Sequence, residues 1–299
     1  MKVGLLLPQA GPDITADLVV RYARAAEDAG YDSLWTIDHV VLPRKWTSVY
    51  PYTPSGSPPR RIQIDAHLLE PLTQLTYVAA VTNRVQLGTS VLVLPMRQPV
   101  LHAKVMASLD HIAGGRFILG AGIGWAKEEF EVLSVPYERR GARMDEALQV
   151  LRRLWTEDWV DFKGEFYRLP GGWTSKPHPP RRVPIWLGGD SRQQFERIGR
   201  WGDGWLAPAN HMPTAREEFE RAQRAAERAG RDPTELTLAM AGITLLREDR
   251  HDEVAARLTA AREAGVQHAV LGLHPASIES APERVVRFAE RYLDEVRAE

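Results

Sequence analysis

Short apolar blocks alternate along this chain with longer stretches in which hydrophobic residues recur at helical spacing. Residues 3–7 are apolar throughout, which is typical of a parallel strand that is covered on both faces. Asp13 or Thr15 is a suitable N-cap for the helix that follows, and Gly30 is a suitable left-handed residue after its end. Residues 33–37 form the next β-rich block. The pattern therefore predicts a strand, a helix and a second strand at the start of the chain.

The step from helix to strand recurs later in the chain. Residues 25–30, 225–230 and 260–265 each read Ala-Ala-x-x-Ala-Gly, and each precedes a β-rich run. Further strands are predicted over residues 85–94, 116–120, 183–188, 204–207, 236–246 and 268–272, and further helices over residues 68–81, 100–112, 141–155, 192–201 and 282–296. Such alternation implies a parallel sheet with right-handed crossovers. Roughly eight units in about 300 residues favour a closed (β/α)₈ TIM barrel, with residues 1–299 as a single domain, over an open sheet.

Two segments are longer than a minimal barrel requires. Residues 41–65 are rich in Pro, Ser, Tyr and Arg and join the second strand to its helix, and long loops of this kind are usually functional lids. Residues 155–180 contain an aromatic alternation that predicts a hairpin with its turn at Lys163 and Gly164. We expect both insertions to follow strands and to lie on the C-terminal face of the barrel, where barrel enzymes carry their chemistry.

Composition removes several classes of function. The formal net charge is -1, so no excess of positive charge favours a nucleic acid or an anionic membrane as partner. The chain contains no cysteine, which excludes disulfides, a thiol nucleophile and thiolate metal sites, and its nine histidines are scattered. The first apolar block is too short for a signal peptide, and no block is long enough for a membrane span. We therefore expect a cytoplasmic protein with a small-molecule substrate and no metal site.

Two groups of residues are candidates for proton transfer. Asp38 and His39 directly follow the second strand, and a histidine at the C-terminal end of a barrel strand suits acid–base chemistry. A histidine that only bonds the loop backbone is the alternative. Glu128 and Glu129 follow a glycine-rich turn, in what is predicted to be the first turn of a helix. They could complement the helix dipole, and Glu128 could instead take a proton role.

Two glycine-rich turns are candidates for ligand binding. Residues 120–125 read Gly-Ala-Gly-Ile-Gly-Trp, with the third glycine misplaced for a dinucleotide fingerprint, so we favour a side-chain-free wall against which a flat ring lies. Gly188 and Gly189 follow the fifth strand, and Ser191 and Arg192 open the next helix. Backbone N–H groups at such a turn suit a phosphate, although a tight turn with a capped helix is equally consistent with the pattern.

Taken in order, these motifs resemble those of the luciferase-like monooxygenase family, and especially its branch that uses the deazaflavin coenzyme F420. The resemblance covers nearly the whole chain and rests on residues 3–8, 25–35, 38–39, 84–91, 114–117, 120–125 and 184–189. It implies a barrel with the cofactor ring at its C-terminal mouth. Hydride transfer between F420 and an organic substrate would follow, and family members are commonly homodimers.

The resemblance also implies roles for individual residues. Asp38 and His39 would face the reactive ring edge, with His39 as the acid–base group. Ser90 and Val91 would form a bulge, often with a non-prolyl cis peptide, that supports the ring. The ring or its ribityl chain would lie against Gly122, Ile123 and Gly124, and the phosphate would be held by Gly188, Gly189, Ser191 and Arg192.

One position departs from the pattern of the family's sugar-phosphate dehydrogenases. They place a glutamate directly after the Gly-x-Gly-x-Gly run, and this chain has Trp125 there. An aromatic wall favours an apolar or aromatic substrate. Two other functions remain open on the sequence: an FMN-dependent monooxygenase that activates oxygen, and a barrel that binds a flavin or other ligand without turnover or acts as a carboxylate hydrolase.

Overall fold

The computed structural model describes residues 1–59, 62, 67–274 and 278–298. Its strands are β1 (Lys2–Leu6), β2 (Ser33–Thr36), β3 (Gln86–Thr89), β4 (Leu92–Val93), β5 (Phe117–Gly122), β6 (Val160–Lys163), β7 (Arg168–Trp173), β8 (Ile185–Gly188), β9 (Gly204–Pro208), β10 (Thr237–Leu246) and β11 (His268–Leu273). Its α-helices are α1 (Ala16–Asp28), α2 (Pro71–Ala79), α3 (Pro99–Ile112), α4 (Lys127–Val132), α5 (Arg140–Thr156), α6 (Arg192–Trp201), α7 (Ala215–Arg228), α8 (His251–Glu263), α9 (Ala281–Phe288) and α10 (Asp294–Arg297).

Eight parallel strands close into a barrel in the order β3-β2-β1-β11-β10-β9-β8-β5, and pairing of β3 with β5 completes the ring. The short strand β4 continues beside the second half of β5, where Leu92 lies opposite Ala121. The helices pack around this sheet, as strand–helix alternation requires. The (β/α)₈ prediction is therefore confirmed.

The predicted start and end of the first helix are confirmed by its capping residues. Thr15, rather than Asp13, is the N-cap of α1, because its side chain accepts a hydrogen bond from the N–H of Leu18 at 3.2 Å. Gly30 follows the helix with a φ of 90°, the left-handed conformation that glycine adopts without steric cost. Gly230 and Gly265 repeat this geometry after α7 and α8, with φ values of 72° and 89°.

Side chains fill the interior of the barrel. Trp35 of β2 stacks on Trp186 of β8 with ring centroids 5.4 Å apart, and the ring of His268 meets both edge-on. The imidazole Nε2 of His268 lies 2.6 Å from the hydroxyl of Ser33. Ser33, Trp186 and His268 lie in the first halves of their strands, so the barrel is a packed core toward its N-terminal end and leaves room for a ligand at the other end.

Burial makes His268 a source of pH-dependent stability. It lowers the pKa of His268 from 6.5 to about 4, so the unfolded chain binds this proton at a pH where the folded protein does not. The stability that depends on this neutral, buried imidazole is fully present above pH 6.5 and is lost as the pH falls toward 4. We expect His268→Gln to remove about 3 kcal/mol of the stability difference between neutral pH and pH 4. Urea unfolding at both pH values checks this, and equal pH dependence of variant and wild type would contradict it.

The first insertion lies where the sequence predicts it. Its described part, residues 41–59 and 62, follows β2 at the C-terminal end of the barrel, and Val49, Tyr50 and Tyr52 face a cavity there. The remainder of the predicted segment, residues 60–61 and 63–65, lies outside the described residues. None of the helices that the described residues form has the length and hydropathy that a membrane crossing requires.

The position expected for the second insertion was wrong. The hairpin itself is confirmed, since β6 and β7 pair in antiparallel fashion, but its turn spans residues 164–167 and not Lys163 and Gly164, because Lys163 still pairs with Arg168. However, it follows α5 and not a strand. Because α5 runs antiparallel to the strands, the hairpin starts at the N-terminal end of the barrel. Its turn then packs back along α5, where the Glu146 carboxylate accepts hydrogen bonds from the N–H groups of Glu165 and Phe166.

Candidate active site at the C-terminal mouth of the barrel

A cavity of about 400 Å³ opens at the C-terminal mouth of the barrel. The loops after β2, β5 and β8, the turn between β3 and β4, and the first insertion contribute to its wall. Ten of the site residues predicted from the sequence line it: Asp38, His39, Ser90, Val91, Gly122, Ile123, Gly124, Gly188, Gly189 and Ser191. Glu128 and Arg192 are not among its lining residues. A second cavity of about 290 Å³ adjoins it and shares Ile37, Val91 and Gly188.

His39 is held by a buried carboxylate that the sequence analysis assigned only to the helix dipole. Its Nδ1 lies 2.6 Å from Glu129 Oε2, and only 1% of the Glu129 side chain is exposed. The other carboxylate oxygen accepts hydrogen bonds from the N–H of Val40 at 2.9 Å and of Val41 at 3.4 Å. A carboxylate at this distance from Nδ1 fixes the orientation of the ring and favours the tautomer that carries the proton on that nitrogen. It leaves Nε2 as the nitrogen that exchanges a proton with a ligand.

Asp38 lines the cavity, but its carboxylate is engaged elsewhere. The carboxylate accepts hydrogen bonds from the Val93 N–H at 2.8 Å and from Arg97 Nη2 at 2.5 Å, and its side chain is fully buried. Successive residues of an extended segment point to opposite sides, so Asp38 turns away from the side that His39 occupies. The ion pair joins the loop after β2 to the segment after β4. This arrangement favours a positioning role for Asp38 over contact with a reacting ring edge.

The predicted bulge lies between β3 and β4. The peptide bond between Ser90 and Val91 is cis, as the resemblance implied. Val91 projects between two glycines: a Cβ at Gly122 would lie 2.5 Å from Val91 Cγ2, and one at Gly188 would lie 3.0 Å from Val91 Cγ1. Glycine at these two positions therefore makes room for Val91 in the centre of the mouth.

The turn after β8 confirms the tight turn with a capped helix, and the phosphate site stays a prediction. Gly189 adopts a φ of 102°, and the Ser191 hydroxyl caps α6 by accepting a hydrogen bond from the Gln194 N–H at 3.2 Å. Gly189, Ser191 and Gln194 also line the cavity, so the start of α6 is part of its wall. A helix N-terminus of this kind favours a negatively charged ligand group.

Arg140, a cation that the sequence analysis missed, also lines the cavity. Its Nε donates to the Gly124 carbonyl at 3.0 Å, and its guanidinium lies 3.9 Å from the centre of the Tyr137 ring. Arg192, which was expected to hold a phosphate, is exposed and lines a different groove. The reason is its position in the first turn of α6, where it points outward past the cap residue.

Glu128 fastens the first insertion to α4. Its carboxylate accepts hydrogen bonds from the N–H and hydroxyl of Thr47 at 2.5 and 2.6 Å, and from those of Ser48 at 2.8 and 2.7 Å. Burial alone would raise the pKa of Glu128, but these hydrogen bonds outweigh it and lower the pKa to about 2. The carboxylate is therefore ionised at neutral pH and committed to the loop. The carboxylate that contacts His39 belongs to the next residue, Glu129. A proton-transfer role for Glu128 stays a prediction, and this geometry does not favour it.

We expect Glu128→Ala to loosen this loop. The variant loses four hydrogen bonds to a charged acceptor, and the loop contains Arg44 and Lys45, both exposed trypsin sites. Trypsin should cleave the folded variant there roughly tenfold faster than wild type, as the open population rises. Mass spectrometry of a cleavage time course locates the cut. Equal rates for the two proteins would show that the carboxylate does not hold the loop.

Aromatic rings surround His39 on the side of the insertion. The ring centroids of Trp46 and Trp125 lie 5.9 and 6.0 Å from that of His39, and they lie 4.8 Å from each other. Tyr50 meets Trp125 edge-on at 5.1 Å. The aromatic wall expected from Trp125 is present, and it excludes water from the neighbourhood of the imidazole. Among the described residues, no group of three or more His, Asp or Glu side chains is arranged to hold a metal ion.

The comparison with protein families decides the kinship of this chain. Residues 1–296 match the profile of the luciferase-like monooxygenases. The chain belongs to the luciferase-like monooxygenase family. An uncharacterized protein of Mycobacterium tuberculosis is 35% identical over 225 residues, which span 75% of this chain and 77% of that protein. An F420-dependent glucose-6-phosphate dehydrogenase of Kineococcus radiotolerans is 35% identical over 228 residues, which span 72% of this chain and 61% of that enzyme.

Solved structures of other oxidoreductases share the fold. An F420-dependent secondary alcohol dehydrogenase in complex with an F420–acetone adduct superposes with a TM-score of 0.76 at 19% identity, covering 97% of this chain and 99% of that one. A type II Baeyer–Villiger monooxygenase of Pseudomonas putida in complex with FMN gives a TM-score of 0.75 at 15% identity, covering 99% and 98%. Solved structures that hold F420 or FMN thus share this fold.

Proposed function

We propose that this luciferase-like protein is an oxidoreductase that transfers a hydride between coenzyme F420 and an apolar or aromatic organic substrate. The observation that carries the proposal is that His39, oriented by the buried Glu129, opens onto the same cavity as Gly188, Gly189 and the start of α6. One end of this cavity suits proton transfer and the other suits an anion. The relatives that are named as F420-dependent enzymes support the choice of cofactor.

The residues present fit an elongated ligand with a planar ring and an anionic chain. The cavity volume of about 400 Å³ lies within the usual range for ligand pockets. Gly122 and Gly124 provide a wall without side chains, and Val91 supports one face of that space. Arg140 and the N-terminus of α6, both in the cavity wall, supply positive potential, and the carboxylate of Asp190 in the same wall is paired with His211 at 2.9 Å. We therefore assign the ring to the region around Val91 and the phosphate to the turn after β8.

When bound, F420 supplies the carbon that accepts or gives the hydride. The protein supplies orientation, exclusion of water and a proton path. His39 Nε2 takes a proton from the substrate or returns one as the hydride moves, and Glu129 stabilises the charged imidazolium during that step. The insertion, fastened by Glu128, covers the reacting groups. Trp125 replaces the glutamate expected of a sugar-phosphate dehydrogenase, which supports an apolar or aromatic substrate for this enzyme.

Titration with F420 and with FMN tests the cofactor. We expect F420 to bind with micromolar affinity, measured from the fluorescence of the deazaflavin, and FMN to bind more weakly. Gly122→Val is the matched variant, because its added Cβ would lie 2.5 Å from Val91 Cγ2 and the side chain would enter the ring space. Binding of FMN without binding of F420 would overturn the proposal in favour of an oxygen-activating monooxygenase. Equal affinity of Gly122→Val and wild type for F420 would overturn the placement of the ring.

We also propose that the protein acts in the cytoplasm as a homodimer, in line with the family that it belongs to. The absence of cysteine from the chain is compatible with a reducing compartment. Sedimentation velocity at micromolar concentration tests the assembly: a species of about 67 kDa, twice the chain mass of 33.6 kDa, is expected. A species of the monomer mass over the whole concentration range would contradict it.

A further inference from the structure

A third cavity of about 260 Å³ extends from the mouth between the ends of β1, β2, β10 and β11. We call it the annex. It is lined mainly by hydrocarbon side chains, and its walls include Leu6, Leu7, Ala10, Ile37, Leu245 and Leu273. Leu6 and Ile37 also line the second cavity, and Ile37 lines all three. The annex is therefore a side chamber of the candidate active site and not a separate pocket.

The annex lies within reach of the candidate proton-transfer group. Ile37 and His39 are two positions apart after β2, on the side opposite to the buried carboxylate of Asp38. A ligand whose reacting end contacts His39 can therefore extend past Ile37 into the annex.

The two polar residues of the annex wall do not present a charge to it. The side-chain amide of Gln9 donates to the carbonyls of Ile37 and Leu69 at 2.7 and 2.8 Å, and its oxygen accepts from the Ile37 N–H at 2.7 Å. Burial, together with nearby Arg247 and Arg284, lowers the pKa of His274, so that imidazole is neutral at neutral pH. The annex thus offers an apolar surface with no fixed charge from its described wall residues.

We infer that the annex binds the hydrocarbon part of the substrate while the reacting end lies at His39. This inference rests on the proposed function, because it assigns the substrate class of the same site. It favours uncharged molecules with an alkyl chain or an apolar ring. A sugar phosphate, which carries hydroxyl groups and two negative charges, would lose its hydration there without compensation.

A homologous series of 2-alkanones, from 2-hexanone to 2-dodecanone, tests the annex by isothermal titration calorimetry of the protein with and without F420. We expect affinity to rise about fourfold for each added methylene group until the chamber is full. Leu245→Trp, which fills the chamber, should abolish this gain for the long ketones and leave 2-hexanone within about twofold. Ala10→Phe narrows the annex from the opposite wall and should act in the same way. Thermal melts followed by circular dichroism establish that both variants are folded.

Leu101→Trp is the control, because Leu101 is a 59% exposed leucine on α3 that lines none of the three cavities. It should keep the full gain with chain length. A flat series in the wild type, or the same loss of gain in Leu101→Trp as in Leu245→Trp, would overturn the inference. A flat series in protein that binds F420 would leave the proposed function intact. A steep series in protein that does not bind F420 would support the annex and contradict the proposed cofactor.

Discussion

His39→Ala lowers the rate of hydride transfer by about 10²- to 10⁴-fold, the usual contribution of a positioned acid–base group. The affinity for F420 changes by no more than a few-fold, since the cofactor chain is assigned to the turn after β8 and not to the imidazole. Rapid mixing of the F420-loaded enzyme with substrate, followed by the absorbance of the deazaflavin, measures the rate. Fluorescence titration measures the affinity of the same preparation.

The control for this variant is His111→Ala. His111 is exposed in the last turn of α3 and should tolerate the change with full activity. If His39→Ala retained the wild-type rate, the imidazole would not be the proton-transfer group. If it lost affinity for F420 in proportion to its rate, the residue would bind cofactor and do no acid–base work.

Glu129→Gln reduces kcat by about 10- to 100-fold, which corresponds to the loss of one hydrogen bond to a charged group. The amide keeps the size of the side chain and still bonds the loop, but it no longer stabilises a positive imidazolium. The pH–rate profile therefore shifts to lower pH, a readout that a merely structural role would not move. KM for the substrate stays close to that of the wild type, because Glu129 is buried behind His39.

Glu128→Ala distinguishes the role of Glu128 from that of the neighbouring Glu129. It should raise KM through the loosened loop and leave the pH–rate profile in place, because Glu128 bonds Thr47 and Ser48 and not the imidazole. An unshifted profile in Glu129→Gln, or the same shift in both variants, would contradict the assigned positioning role of Glu129.

The fold was predictable because its signals are local. Apolar blocks and Ala-Gly helix ends mark the strands, and Thr15 and Gly30 act within a few residues of their own positions. The glycine-rich turns of the site and the cis peptide between Ser90 and Val91 were predicted from the family resemblance, which rests on the order of the motifs along the chain. Ten site residues then converge on one cavity because the strand ends of a closed barrel meet at one face.

The missed features depend on long-range contacts that no local pattern encodes. Glu129 contacts His39 across 90 positions of the chain, and one of two adjacent glutamates had to be chosen without knowing the helix rotation. Asp38 was placed at the ring edge by the resemblance alone, and its contact with Arg97, 59 positions away, carries no motif that could have indicated it. Arg140 lines the cavity because the segment between α4 and α5 brings the start of α5 to the mouth, and no local pattern predicts the course of that segment. The hairpin was misplaced because a helix, predicted over residues 141–155, precedes it directly. A helix that follows a barrel strand ends at the N-terminal face of the barrel, and the hairpin starts there.

Glu128 and Glu129 are consecutive residues in one short helix, and they serve two different parts of the mouth. One anchors the segment that covers the cavity, and the other aims the imidazole. We therefore expect a displacement of Thr47 and Ser48 to disturb the support of His39 as well, because both sets of contacts start from adjacent residues of α4.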